Sequence, residues 1–242
     1  PRAPLMIYGI TLACSGATAY FFLRGKYIDN KDVHMESAEV RTITQSLKIS
    51  PYRIALVIAF INGFISVGLR NTTLTLFMTE EVGAAPSAIG LGFTISALAT
   101  GLFLLRAGKL SDLEGRKKSA VIGYVITTVA LLLFVQMGSI SVFYIAMAVF
   151  GAGGAFTGTI SGSLVGDILT GKGGRVIAFS QMMGDAGAVV GPIAFGLIAD
   201  HYGFSTSFVA AVIINAIAFI AALRIKETRN VDFYSTLKNY DN

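Results

Sequence analysis

Long apolar runs alternate with short polar segments along almost the whole chain. A membrane-spanning helix needs about 20 consecutive, mostly apolar residues. The sequence contains such stretches near 4–23, 53–78, 87–106, 119–137, 140–166, 175–199 and 204–224. Short connections join the last six stretches, whereas residues 24–52 form a longer polar segment with charges of both signs. The pattern predicts an all-α polytopic membrane protein with about seven transmembrane helices.

The composition agrees with that pattern. Hydrophobic residues make up 54% of the chain and charged residues only 14%, whereas soluble domains carry about 25% charged residues. The net charge of +5 would suggest nucleic-acid binding in a soluble protein. Here the charges are arranged by loop, so they are a signal of membrane topology, and no nucleic-acid partner is expected.

Lysine and arginine occupy alternate connections. They occur in 24–53, 106–118, 172–175 and from 224 onwards, and they are absent from 79–86, 138–141 and 200–203. Because basic residues are retained on the cytoplasmic side, this alternation predicts that the chain starts outside and that its C-terminus is cytoplasmic. We expect a multi-pass protein of the plasma (inner) membrane.

A charged segment bracketed by glycines separates two of the apolar runs. Residues 108–118 read Gly-Lys-Leu-Ser-Asp-Leu-Glu-Gly-Arg-Lys-Lys, which resembles the signature loop of the major facilitator superfamily (MFS) of secondary transporters. The segment departs from the family pattern at Leu113, where a basic residue is usual. Two further segments are similar to this family, namely the glycine–proline stretch 184–196 and the Lys-Glu-Thr-Arg sequence at 226–229. The likeness covers about residues 52–229.

The resemblance implies a specific domain organisation. Members of this family consist of two six-helix halves with related sequences. One helix, a long loop and six further helices fit the sixth helix (1–24), the central loop (25–51), the C-terminal six-helix bundle (52–225) and a cytoplasmic tail (226–242). The missing N-terminal half and the lipid bilayer are then the expected partners. The chain begins with Pro rather than Met and is interpreted as truncated.

The signature segment contains candidates for a conformational latch. The sequence places Asp112 at the start of the helix that follows, where a carboxylate can cap amide groups. Arg116 comes one turn later, and Gly108 and Gly115 bracket the pair. The resemblance implies that these residues latch the cytoplasmic side, with Asp167 as a candidate partner of Arg116. The alternative is an ordinary solvated turn.

Asp185 is the candidate for a proton or substrate site. If its helix begins near Arg175, Asp185 lies about 15 Å along it, near the middle of the bilayer. Ionisable groups at that depth are costly and usually functional. The carboxylate could carry a proton, since burial favours its neutral form, or it could bind a cationic substrate. Alternatively, it could pair with another helix.

Three other polar residues are candidates for a transport cavity. Arg70 lies late in its helix and could attract anions, although it could also snorkel to the headgroups or pair with Glu80 or Glu81. Asn62 and Gln181 could orient a substrate, and hydrogen bonding between helices is an equal alternative for both residues.

Small residues mark two helices. In one, a four-residue period predicts that glycines lie down one face and let a neighbouring backbone approach closely. In the next, glycines accompany a proline. These helix-packing candidates are Gly154, Gly158, Gly162 and Gly166 in the first, and Gly187, Gly191 and Pro192 in the second.

A secondary transporter that works by alternating access is the favoured function. We expect proton-coupled export of drug-like or amphipathic compounds, as in an antiporter. Uptake of a small polar solute, such as a sugar or an organic anion, is the alternative. A seven-helix receptor is the competing class, although no span carries a lysine for a retinal-type Schiff base.

An enzyme is not expected. The two histidines, His34 and His201, fall in predicted loops, and the sequence has neither an H-E-x-x-H motif nor a cysteine cluster. Cys14 is interpreted as buried filler. We therefore predict no catalytic residue, no metal site and no cofactor.

Overall fold

The computed structural model describes residues 3–23, 42–169 and 173–225, and every regular element within these ranges is helical. The chain divides into two compact units, Pro1–Ala38 and Glu39–Asn242. The predicted cytoplasmic tail, most of the predicted central loop and His34 lie outside the described residues.

The first unit contains α1 (Ala3–Leu23), a helix of 21 residues. Its apolar composition agrees with the predicted span, and its role as a transmembrane helix stays a prediction. Cys14 is exposed when this unit is considered by itself, so the expectation that it is buried filler was wrong here.

The second unit contains the remaining helices. These are α2 (Ile43–Lys48), α3 (Ser50–Gly63), a π-helical segment (Phe64–Thr73), α4 (Leu74–Glu80), α5 (Pro86–Glu114), α6 (Arg116–Val135), α7 (Ile140–Ile168), α8 (Gly174–Tyr202) and α9 (Phe204–Leu223). The segments α3, π and α4 follow one another without a break as a 31-residue helix. With α5–α9, this gives six helices in the described residues that are long and apolar enough to cross a membrane. The predicted fold class is confirmed.

The second unit starts earlier than the sequence predicted. Residues 43–48 fall in the expected solvated loop, yet they form α2. Thr42 and Gln45 build a capping box, in which the Thr42 backbone N–H donates to Gln45 Oε1 at 2.8 Å and the Gln45 N–H donates to Thr42 Oγ1. Ser46 and Ile49 are buried. Apolar and capping residues therefore fix this short helix onto the bundle.

The helix α7 lies at the centre of the bundle, against α3, α5 and α6, while α8 packs along α3 and the π-helical segment. Aromatic side chains fill the space between helices. The rings of Phe64 and Phe195 lie 4.9 Å apart, and those of Phe77 and Phe208 lie 5.4 Å apart. These pairs join the 50–80 helix to α8 and α9.

A glycine seam joins α8 to the 50–80 helix at very short range. Gly187 faces the backbone of Phe60 and Phe64, and Gly191 faces Phe64 and Gly68. A Cβ at either glycine would come within 3.0 Å of these backbone atoms, which leaves no room for a side chain. Glycine is therefore required in this seam because the backbones touch.

The four-spaced glycine row on α7 was predicted to pack in the same way, and within the described bundle that prediction was wrong. A Cβ would have no neighbour within 4 Å at any of the four glycines, Gly154, Gly158, Gly162 and Gly166. The bundle-facing side of α7 carries Phe156, Ile160 and Leu164 instead. The large residues recur on that face, and the glycines fall on the opposite one.

The seam gives a direct test of this division between the two sets of glycines. We expect Gly187→Ala to lower the apparent melting temperature of the purified protein, because the added methyl would push two backbones apart at a cost of about 1–3 kcal/mol. Gly158→Ala is the matched control: it makes the same change in another helix interior but meets no neighbour. Thermal unfolding in detergent measures both, and equal melting temperatures for the two variants would contradict the assignment of the seam.

Candidate functional site

A cluster of charged side chains holds the corner between α5 and α6. Arg116 Nε lies 3.1 Å from Asp167 Oδ2, and Arg116 Nη2 lies 3.3 Å from Asp167 Oδ1, so the pair is bidentate. Arg116 Nη1 also donates to Ser111 Oγ at 2.9 Å and to Asp112 Oδ1. The side chains of Arg116 and Asp167 are only 17% and 20% exposed. The expected pairing of Arg116 with Asp167 is therefore present, and its role as a latch stays a prediction.

The position of Asp112 differs from the prediction. Asp112 lies in the last turn of α5, which continues to Glu114, and α6 begins at Arg116 after the single residue Gly115. Asp112 therefore caps no amide of α6. The helix runs past the apolar stretch because Leu, Lys and Glu are good helix formers, and it ends only where Gly115 adopts a φ of +107°. Gly108 is an ordinary helical residue of α5.

Asn62 is part of a hydrogen-bond network that joins four helices. Its Nδ2 donates to the Thr157 carbonyl at 3.1 Å, and its Oδ1 accepts from the Tyr124 hydroxyl at 3.3 Å. Asn215 Nδ2 donates to Thr128 Oγ1 at 2.8 Å and to the Tyr124 carbonyl at 3.3 Å. The network connects α3, α6, α7 and α9. It supports the interhelical interpretation of Asn62 rather than a place in the cavity.

Arg70 lies in the π-helical segment, between two aromatic rings. Its guanidinium carbon is 5.7 Å from the centre of the Phe93 ring and 5.4 Å from that of Phe150. Its Nε donates to Asn71 Oδ1 at 3.1 Å. The structure shows no ion pair of Arg70 with Glu80 or Glu81, so the predicted pairing is not formed in the described chain. Cation–π contacts with these two rings hold the positive charge in place.

The π-helical segment was not anticipated from the sequence. Its backbone hydrogen bonds run from residue i to i−5, as in the Leu74 N–H, which donates to the Leu69 carbonyl. In addition, the hydroxyls of Thr72 and Thr73 donate to the Val67 and Gly68 carbonyls, each at 3.0 Å. Such segments occur frequently at functional sites. The sequence signal for it was the pair Thr72 and Thr73, whose hydroxyls donate to carbonyls one turn earlier in the helix.

Asp185 and Gln181 lie one turn apart on α8, and both are exposed in the six-helix unit. Asp185 is 11 residues, about 16 Å, from the start of α8 at Gly174. Its position near the middle of the bilayer stays a prediction. No hydrogen bond or ion pair of Asp185 is found among the described residues. Because an exposed carboxylate at this depth is costly in hydrocarbon, this face of α8 needs a polar or protein neighbour.

The same side of the bundle includes part of the glycine row of α7. Ser161 Oγ of α7 lies 3.3 Å from Ser180 Oγ of α8, and it also donates to the Ala55 carbonyl. Gly162 and Gln181 are the next residues along their helices, and both are exposed. We call the exposed residues Gly158, Gly162, Gln181 and Asp185 the open face. It combines small and polar residues, unlike the aliphatic surface around it.

The family follows from the sequence as a whole. The sequence model described as Major Facilitator Superfamily matches residues 55–236, which is most of the chain. The chain belongs to the Major Facilitator Superfamily. This MFS chain is an integral multi-pass membrane protein, and its family is one of transporters rather than enzymes. The receptor and enzyme classes are thereby set aside.

Curated relatives are bacterial proteins. The chain is 30% identical over 176 residues to Multidrug resistance protein 2 of Bacillus subtilis, covering 70% of this chain and 42% of that protein. It is 28% identical over 166 residues to Drug efflux pump JefA of Mycobacterium tuberculosis, covering 66% and 32%. It is 26% identical over 175 residues to Multidrug resistance protein MdtG of Escherichia fergusonii, covering 69% and 43%. The MFS chain thus spans less than half the length of these relatives.

Solved structures show the same fold. A structure reported for substrate recognition in proton dependent oligopeptide transporters aligns with a TM-score of 0.62 at 17% identity, over 82% of this chain and 46% of that one. The crystal structure of a D-xylose-proton symporter aligns with a TM-score of 0.56 at 14% identity, over 83% and 52%. Both alignments place the six-helix bundle within about half of a longer chain.

The corner cluster predicts a difference between two ion pairs. We expect Asp167→Asn to destabilise the protein by about 1–3 kcal/mol, because it leaves the half-buried guanidinium of Arg116 with fewer charged hydrogen bonds. The control is Glu114→Gln, which breaks the exposed 3.1 Å pair with Lys118 and should cost at most about 0.5 kcal/mol. Thermal unfolding in detergent compares the two, and equal losses would contradict a structural role for the Arg116–Asp167 pair.

Proposed function

We propose that the protein containing this chain is a secondary active transporter that exports drug-like or amphipathic compounds in exchange for protons. The chain would be its C-terminal half, with a second six-helix half completing the transport pathway. The open face carries the proposal, because its polar residues Gln181 and Asp185 are exposed in the six-helix unit. The names of the relatives, two multidrug resistance proteins and a drug efflux pump, support export.

The geometry of the open face supports a pathway between two halves. Gly158 and Gly162 present only backbone there, so a large substrate could pass close to α7. Gln181 supplies a hydrogen-bonding group next to Asp185. In alternating access, the two bundles rock about a site near the middle of the membrane, and the open face contains that depth.

Asp185 is the proposed proton carrier. In alternating access, Asp185 would face water on one side of the membrane and then on the other, so a proton taken up on one side could be released on the other. A cationic drug and a proton would then compete for the same group, which couples the movement of one to that of the other. No partner of Asp185 among the described residues interferes with this role.

The Arg116–Asp167 pair is the proposed latch. It joins the α5–α6 corner to the end of α7, at the side predicted to be cytoplasmic. Asp112 is 69% exposed, and its hydrogen-bond partner within the described ranges is Arg116, so much of its carboxylate can meet a second bundle. A contact across the halves at this position would hold the cytoplasmic side closed while the other side is open.

The proton role has a direct test in the full-length protein in proteoliposomes. We expect Asp185→Asn to abolish drug transport driven by an imposed pH gradient, because the amide cannot carry the proton. The control is Asp200→Asn, which changes an exposed acid at the far end of the same helix and should leave transport intact. Gradient-driven transport that survives in Asp185→Asn would contradict the proposal.

A second candidate function is supported by Arg70. Its charge is half-buried and flanked by two phenylalanine rings, and it has no ion pair among the described residues. This is suitable for an organic anion whose apolar part contacts the rings. Transport of an organic anion, by uptake or export, is therefore the alternative.

This alternative predicts selective loss of anionic substrates. We expect Arg70→Gln to raise the KM for an aromatic carboxylate by about tenfold or more, the loss of one charged hydrogen bond, and to leave cationic drugs unaffected. The control is Arg106→Gln. Arg106 also stacks on a phenylalanine, with 5.9 Å to the Phe103 ring, but it is exposed on α5. Equal effects of Arg70→Gln on anions and cations would contradict an anion site.

A further inference from the structure

A groove runs between α3 and α9 on the surface of the bundle. It has two parts that share Val57 and Ile217 in their walls. The part near the start of α3 has a volume of about 310 Å³ and is lined by Arg53 and Arg224. The deeper part, about 480 Å³, is lined only by apolar side chains such as Phe60. The basic mouth of the groove thus continues directly into its apolar part.

The two arginines converge at the mouth of this groove. Arg53 lies in the first turn of α3, and Arg224 follows the last residue of α9, so they lie at the same end of the bundle. Both are exposed, and within the described residues neither has an ion pair. Among the described residues, no aspartate or glutamate lines either part of the groove. Two guanidinium groups without a carboxylate suit a phosphate group, which their planar donors match.

The groove has the length of one lipid leaflet. From Arg53 to Phe64 there are 11 residues, about 16 Å at 1.5 Å per residue. From Ile214 to Arg224 there are 10 residues, about 15 Å. Half of a hydrocarbon core about 30 Å thick is 15 Å. An acyl chain that starts at the arginines would therefore reach the deep end of the groove near the middle of the bilayer.

We propose that this groove binds an anionic phospholipid. Arg53 and Arg224 hold the headgroup phosphate, and an acyl chain lies along Val57 and Ile217 toward Phe60. Basic pockets between spanning helices on the cytoplasmic side bind anionic headgroups, and this end of the bundle is the one predicted to be cytoplasmic. A soluble phosphate would use only the mouth and leave the apolar part without a function. The groove shares no lining residue with the open face, and lipid binding does not depend on the substrate transported.

The test measures lipid binding to the purified full-length protein by native mass spectrometry. Phosphatidylglycerol is compared with phosphatidylcholine of the same acyl chains. We expect the unmodified protein to prefer phosphatidylglycerol, and the double variant Arg53→Gln/Arg224→Gln to bind it about 30-fold more weakly, which is the effect of two basic residues at an anionic surface. The control Arg175→Gln removes an exposed charge at the start of α8 that does not line the groove, and it should change little.

A second variant separates the lipid from a soluble anion. Ile217→Trp fills the shared wall but keeps both arginines, so it should weaken phosphatidylglycerol binding and leave binding of glycerol 3-phosphate unchanged. The double variant Arg53→Lys/Arg224→Lys keeps the charge but loses the planar donors, so it should bind phosphatidylglycerol more weakly than the unmodified protein and more tightly than the double Gln variant. The proposal is overturned if the double Gln variant binds phosphatidylglycerol normally, if phosphatidylcholine binds equally well, or if glycerol 3-phosphate displaces the lipid completely at similar affinity.

Discussion

Polar groups inside hydrocarbon must find partners within the protein, because the bilayer core offers none. This constraint accounts for the hydrogen bonds between Asn62, Tyr124 and Asn215, and for the threonine hydroxyls that bond to carbonyls in the π-helical segment. The same constraint applies to polar side chains that the bundle leaves exposed. Asp185 and Gln181 are exposed at depth, so the surface that carries them requires a polar neighbour outside this bundle.

Glycine therefore has two different roles in this bundle. In the seam between α8 and the 50–80 helix, glycine brings backbones into contact and fixes the helices together. On the open face of α7, glycine leaves space that the bundle does not fill. A unit that is tightly joined inside and open on one side can move as a rigid body against a second half, which is the motion that alternating access needs.

The sequence predicted the six apolar helices and the Arg116–Asp167 pair of the corner cluster, because each depends on local composition or a short motif. It misplaced Asp112, since an apolar run shows where hydrocarbon ends and not where a helix ends. It also assigned the α7 glycines to packing, because a four-residue period identifies a face but not the neighbour. The π-helical segment and the Tyr124–Asn215 contacts depend on distant parts of the chain, which local patterns do not encode.

The most direct measurement asks whether the open face is lined by water. Residue 158 lies about 15 Å from the end of α7. In the full-length protein, a Gly158→Cys variant in a Cys14→Ser background can be treated with a charged, membrane-impermeant thiol reagent. The account predicts that this cysteine reacts and that substrate slows the reaction. Ile213→Cys, exposed in the middle of α9, should remain unreactive in lipid. An unreactive Gly158→Cys, or equal reaction at both positions, would contradict the account.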